Sequence, residues 1–400
     1  MRASRRRQVQ GRLPLKRRDL FAATAGAALA AALPARARAA GTVSGDSAPA
    51  GAFEIVAAFS GAGPSGIAVT PSGRVFVGFP RHADNHREAT LAELRNGTLI
   101  PYPDAAMSLP SSRPPEQRLM SIHGMTTDSE GRLWAIDDGK LAGQPIAPGA
   151  AKVIGIDPAT DRVIATIVLT PPAMREDSHM NDLRVDLTHG ARGTAYVADS
   201  SFGHTGALVV VDIATGRQRR VLAAHRSTQP EAGFRAVLEG RPLRYDAAHP
   251  TFPVGGADSI TLSADSTRLY YSPLTSRRLY SIATDLLANF DATEAQLAAG
   301  VVDHGEKVMT DGLATDAANR LYLTAGEHDA IMRLSPDGSM DVVVRDPRIV
   351  WPDGIFADAT HVWCTLGQWN RLPGFNGGKD LRQPPYLLIR TPIVSSPELS

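Results

Sequence analysis

A short segment recurs six times in this chain of 400 residues, and it constrains the fold more than any other feature. Each copy opens on a polar or acidic residue, usually followed by glycine. A few apolar residues, a turn and a short aromatic-bearing strand come next. The copies start at Pro64-Ser65-Gly66, Ile122-His123-Gly124, Met180-Asn181-Asp182, Ala257-Asp258-Ser259, Thr310-Asp311-Gly312 and Pro352-Asp353-Gly354. With Ser65, His123, Asn181, Asp258, Asp311 and Asp353 as markers, the separations are 58, 58, 77, 53 and 42 residues. That is the scale of one four-stranded propeller blade, about 40–50 residues plus loops. One blade cannot bury both of its faces alone, so blades stack into a ring.

The segments between copies carry further hairpin signals. Leu91–Arg95 and Thr98–Tyr102 flank Asn96-Gly97, a strong two-residue turn. Pro158-Ala159-Thr160-Asp161, Ala214-Thr215-Gly216 and Pro336-Asp337-Gly338 separate other strand pairs. No sustained helical period runs through them. The expectation is an all-β fold: a six-bladed β-propeller closed by pairing of an N-terminal strand, Phe53–Phe59, with a C-terminal one, Tyr386–Thr391. Two insertions break the period. Ala224–Gly255 reads as a long surface loop, and Asp285–Ala299 as one short inserted helix.

Residues 1–39 read as an export signal rather than as fold, leaving 40–400 as a single propeller domain. A basic region ends in Lys16-Arg17-Arg18-Asp19-Leu20-Phe21, an apolar stretch follows, and Ala35-Arg36-Ala37-Arg38-Ala39 offers A-x-A cleavage sites. The paired arginines suit the twin-arginine route, with the twin-arginine translocase as partner during export and a periplasmic or secreted destination. The apolar stretch is short for a membrane span. Beyond residue 39 the chain has 32 Lys and Arg against 40 Asp and Glu, a formal charge of −8. Such a surface disfavours nucleic acid and anionic lipid and favours cations. The single cysteine, Cys364, reads as a buried inert thiol.

Several motifs are weak. Gly61-Ala62-Gly63-Pro64-Ser65-Gly66 matches a dinucleotide pattern, but strand–turn–strand follows where a helix N-terminus is required. His82-Ala83-Asp84-Asn85-His86 has a metal-ligand spacing but reads as a solvated polar loop. The six markers are the better candidates. At the heads of innermost strands they would converge on the mouth of one central channel. Three carboxylates meeting there repel one another unless protonated, hydrated or bound to a cation. An oxygen-rich set of this kind suits Ca2+ or another divalent cation, with Asn181, Asp258 and Asp311 as the ligands. The alternative is that the markers merely cap turns, since Asp-Gly and Asn-Asp are common turn dipeptides.

The chain resembles the major royal jelly protein/yellow family in its bacterial branch, some of whose members are labelled dopachrome tautomerase-related. The resemblance rests on Met180-Asn181-Asp182-Leu183-Arg184-Val185-Asp186, Ala195-Tyr196-Val197-Ala198-Asp199-Ser200, Gly256-Ala257-Asp258-Ser259-Ile260 and Arg278-Leu279-Tyr280-Ser281-Ile282. It implies an exported six-bladed propeller that binds small ligands, aromatic amines among them. More distantly the chain is similar to the SMP-30/gluconolactonase propellers, which are metal-dependent lactonases. By blade order that likeness puts Asn181 and Asp258 in two ligand places and Asp311 in the place of the ligand that is also general base. Ser65 falls where that family has a Glu, and His123 has no fixed counterpart.

Two functions follow as expectations. In the first, the channel mouth binds a small aromatic or cationic ligand through Ser65, His123, Asn181, Asp258, Asp311 and Asp353, with Phe202, Trp351 and Trp369 supplying aromatic faces. In the second, the protein is a metal-dependent lactonase or esterase with Asp311 as general base and His123 orienting substrate or shuttling a proton.

Overall fold

The computed structural model describes residues 49–201, 205–223, 225–243 and 255–393. The segment expected to be an export signal therefore lies outside the described residues. Six four-stranded antiparallel sheets follow one another along the chain. Their innermost strands are Ile67–Val69, Ile122–Thr127, Met180–Asp186, Ala257–Leu262, Leu313–Thr315 and Pro352–Ala357. Each inner strand packs against the next, and the sixth returns to the first, so the ring is closed. The closing sheet takes Glu54–Phe59 as its outermost strand, paired antiparallel with Tyr386–Pro392. This six-bladed architecture is the expected one, closure included.

The aromatic residue that recurs on each second strand has a physical reason. In blades two, three, five and six it donates to an Asp at the far end of the neighbouring inner strand. Trp134 and Trp363 bond Asp128 and Asp358 through their indole N–H at 2.7 Å, and the Tyr322 hydroxyl bonds Asp316 at 3.0 Å. The Tyr196 hydroxyl reaches Asp186 at 3.4 Å. A large ring thus fills the space between sheets while its one polar atom is satisfied. The turn at Asn96-Gly97 has both residues at positive φ, 49° and 77°, which a two-residue hairpin of this hand requires.

The insertions depart in part from expectation. The segment read as one helix folds as two, Thr284–Ala288 and Glu294–Gly300. The second starts at a capping box between Thr293 and Gln296, a local signal that restarts the helix. The other insertion is not simply a surface loop. Its hairpin, Val237–Leu238 with Arg241–Pro242, lies on the mouth face, and Ala236 and Leu238 are buried against Leu274, Met309, Trp351 and Trp369. Glu239 at its tip pairs with Arg371 at 2.6 Å, and the backbone N–H of Val237 bonds Glu327 at 2.9 Å. Residues 244–254 of that insertion lie outside the described residues.

Candidate functional site

All six markers sit at the heads of inner strands, and all six are buried. They form a ring of side chains across the channel. The Ser65 hydroxyl lies 3.2 Å from His123 Nδ1. Asn181 Nδ2 donates to Asp258 Oδ2 at 2.9 Å, and the Ser200 hydroxyl donates to the same oxygen at 2.7 Å. Asp258 and Asp311 interact directly, Asp311 repels Asp353, and Ser65 bonds Asp353. The structure therefore brings together the whole set that the spacing singled out.

The turn-cap alternative does not account for the glycines that follow the markers. Gly66, Gly124, Gly312 and Gly354 are absent from the positive-φ glycines, so no left-handed turn position calls for them. What requires glycine is proximity. A Cβ on Gly66 would stand 2.0 Å from the His123 carbonyl oxygen, and one on Gly354 2.0 Å from that of Ser65. At Gly312 the same contact, to the Asp353 carbonyl, would be 2.2 Å. Only a missing side chain lets adjacent inner strands approach this closely.

The channel is consequently tight. Beside the ring is a cavity of about 10 Å³, lined by Ser65, His123, Asn181, Asp182, Asp311 and Asp353 together with the glycines. That volume suits about one water or ion. Below it Arg184 pairs with Asp182 at 2.9 Å and reaches from blade three to the Leu313 carbonyl in blade five at 2.6 Å. A larger cavity, about 220 Å³, is bordered by Arg348, Leu366, Gln368 and Pro385 and touches none of the six markers.

Burial dominates the electrostatics. It lifts Asp258 to about 8. It also lifts Asp311 and Asp353 well above the carboxylate range, aided in Asp311 by Asp258 and in Asp353 by Asp311. Three carboxyl groups in one buried ring cannot all ionise without a cation or water to offset their charge. Each is instead held by a donor on one oxygen. The Trp351 indole N–H bonds Asp311 Oδ2, and that of Trp369 bonds Asp353 Oδ2 at 2.6 Å. Asp258 Oδ1 is buried and accepts from no N–H or hydroxyl. Trp351 and Trp369 were expected to offer aromatic faces to a ligand. They are buried and act as donors to the ring, while Phe202 lies outside the described residues.

The sequence reading missed three residues at the mouth. His82, set aside as part of a solvated loop, is buried, and its ring stacks on His123 at 5.3 Å between centroids. His179, one position before the third inner strand, lies 4.9 Å from His82 and 5.0 Å from His123 by the same measure. Asp138, buried at the end of the second strand of blade two, places Oδ2 3.2 Å from His179 Nδ1. Burial pushes His123 and His179 down to about 3 and His82 well below its usual range, and it raises Asp138 to about 7. The available signal was the repeat itself. Asp137 and Asp199 end equivalent second strands, and each captures the backbone that leads into its own inner strand. The residues beside them, Asp138 and His179, are thereby fixed at the mouth.

A sequence model of the major royal jelly protein family matches residues 120–372. No curated protein is a detectable sequence relative. Among solved structures, virginiamycin B lyase from Staphylococcus aureus aligns at 14% identity over 86% of this chain and 100% of its own, with a TM-score of 0.46. A candidate gluconolactonase aligns at 12% identity over 85% and 91%, with a TM-score of 0.51. Regucalcin from Agrobacterium tumefaciens, described as a calcium-binding protein, aligns at 14% identity over 86% and 95%, with a TM-score of 0.48. Likeness at these identities speaks to the propeller fold and not to what the site does.

Proposed function

The chain belongs to the major royal jelly protein family, and from that premise and the geometry of the ring we propose that it is an exported binding propeller whose channel head holds one hard divalent cation. The observation that carries this reading is Asp258 Oδ1. It is buried and accepts from no N–H or alcohol, and its carboxyl group faces that of Asp311, which lines a space sized for one ion. The donor set fits: Asn181, Asp258 and Asp311 offer oxygen only, and Ser200 and Trp351 brace the two carboxylates from behind. A bound cation would let these groups ionise and would offer Lewis acidity to any oxygen ligand that reached it. The acidic surface beyond residue 39 favours cations in the same sense.

The lactonase reading is weaker. A cavity of about 10 Å³ admits no lactone beside the ion, and Ser65 supplies no carboxylate where the resemblance calls for one. The ring also offers no room to an aromatic amine, so its occupant is an ion before it is an organic molecule.

Thermal unfolding of the protein after chelation, with and without Ca2+, Mg2+ or Mn2+, tests the proposal. An ion at one hundred times its dissociation constant adds about 2.7 kcal/mol, which is a rise of about 2–4 °C for a domain of this order of size. The rise should vanish in Asp258→Ala and Asp311→Ala. No shift with any of the three ions would overturn the reading.

Export is proposed on the N-terminal sequence alone. Replacing Arg17 and Arg18 by lysine should leave the precursor unprocessed inside a host that has the twin-arginine machinery, whereas the native chain should be found cleaved in the periplasm or medium. Equal processing of both, judged by fractionation and mass spectrometry, would contradict it.

A further inference from the structure

The three histidines at the mouth come from three separate segments and are all buried. His82 is on the loop between the second and third strands of blade one, His123 on the inner strand of blade two, and His179 at the entry to blade three. One ligating nitrogen from each lies within 4.8 Å of the others. We propose that His82, His123 and His179 form a binding site for one borderline divalent transition-metal ion, of which Zn2+ is the type, with Asp138 as the residue that positions His179.

The local structure is that of a built site. Asp199 accepts from the His179 backbone N–H at 2.8 Å and is itself paired with Arg220. The His82 loop is held by Arg81, whose backbone N–H bonds Ser121 Oγ at 2.8 Å and whose guanidinium bonds the carbonyls of Met120 and Glu88, each at 2.7 Å. Ligand orientation follows from the flanking contacts. His123 Nδ1 faces Ser65 and His179 Nδ1 faces Asp138, contacts that fix the plane of each ring. A carboxylate behind a ligating imidazole is the usual way such a ring is oriented and made more basic. Asp138 Oδ2 is buried 3.2 Å from His179 Nδ1 and 3.9 Å from His82 Nδ1, so one carboxyl oxygen stands behind two of the three rings. Three imidazole nitrogens suit Zn2+, Co2+, Ni2+ or Cu2+ and do not suit Ca2+ or Mg2+. Tetrahedral binding at about 2.0–2.1 Å brings such nitrogens to roughly 3.4 Å apart, a contraction of at most about 1.4 Å from the 4.8 Å bound.

This site uses different chemistry and mostly different residues from the acidic ring, so the two proposals separate. The experiment is Co2+ and Zn2+ uptake by chelated protein, read by elemental mass spectrometry and by the visible absorption of bound Co2+. The expected result is one equivalent of Co2+ with imidazole-type absorption, at least tenfold weaker binding in His82→Gln and His179→Gln, 10- to 100-fold weaker binding in Asp138→Asn, and full binding in Asp311→Asn. Unaltered uptake by the folded His82→Gln protein, or no uptake by the native protein, overturns the site. Should His179→Gln not fold, His82→Gln decides, because its loop backbone is held by Arg81 rather than by the imidazole. Loss of Co2+ in Asp311→Asn with retention in both histidine variants would place the ion in the acidic ring, which sinks this proposal while leaving the one above intact.

Discussion

In chelator at pH 9, the Asp258→Asn protein is expected to be more stable than the native one, although at pH 5 the two should differ little. Burial raises Asp258 from the ordinary 3.8 to about 8 in the folded state. Between those values the folded chain keeps a proton that the unfolded chain has lost. The stabilisation linked to that proton is complete at low pH and disappears as pH rises through 8. Asparagine keeps the shape, can accept from Asn181 and Ser200 on its oxygen, and can donate to Asp311 with its amide, but it never becomes a buried anion. Each tenfold change in proton affinity is about 1.4 kcal/mol, and relaxation of the site lowers the full sum, so the advantage at pH 9 should be roughly 2–4 kcal/mol. The three depressed histidines act the other way, costing stability as pH falls below about 6.5, but both proteins contain them and the difference cancels their effect. Urea unfolding of both proteins at pH 5, 7 and 9 gives the answer. Parallel pH slopes would show that Asp258 is not a buried acid. A saturating divalent cation should remove the alkaline loss from the native protein only, since the ion takes the place of the protons.

The ring was legible in the sequence because it is written into the repeat. A polar head, a glycine and a short apolar strand recur at blade spacing, and a closed ring converts that one-dimensional register into a convergence of side chains. Ser65, His123, Asn181, Asp258, Asp311 and Asp353 could therefore be named from spacing alone. His82 could not, because it sits in a loop between second and third strands, where no period applies. The His82 loop also looks polar, and its burial depends on Arg81 satisfying backbone carbonyls from distant segments. Trp351 and Trp369 were placed near the ring but given the wrong role. Sequence proximity to a polar head does not say whether an indole presents its face or its N–H, and here the buried carboxyl groups claim the N–H. The size of the cavity was also out of reach, since it follows from how closely glycine lets the strands approach.

That closeness leads to a second, larger stability effect. Gly66→Ala or Gly354→Ala should cost about 4 kcal/mol or more, enough to prevent accumulation of folded protein in many preparations. In each case the new methyl group would lie 2.0 Å from a backbone carbonyl oxygen of the adjacent inner strand. A backbone carbonyl cannot rotate away as a side chain can, so the two segments must separate, and the Ser65 carbonyl also holds Thr365. Gly73 supplies the control. It has φ +83° and open space around its Cβ position, so Gly73→Ala strains only its own backbone, by about 1–2 kcal/mol. The two explanations of the recurring polar-head–glycine pair thus predict different outcomes. If the glycines served turns, Gly66→Ala would resemble Gly73→Ala. If they serve close approach of blades, it should be far worse, and the damage should be relieved in neither case by added cation, because the clash is between strands and not within the ring of ligands. Denaturant melts of the two variants beside the native protein decide between them, and equal losses would mean that the channel is held open more widely than the ring geometry requires.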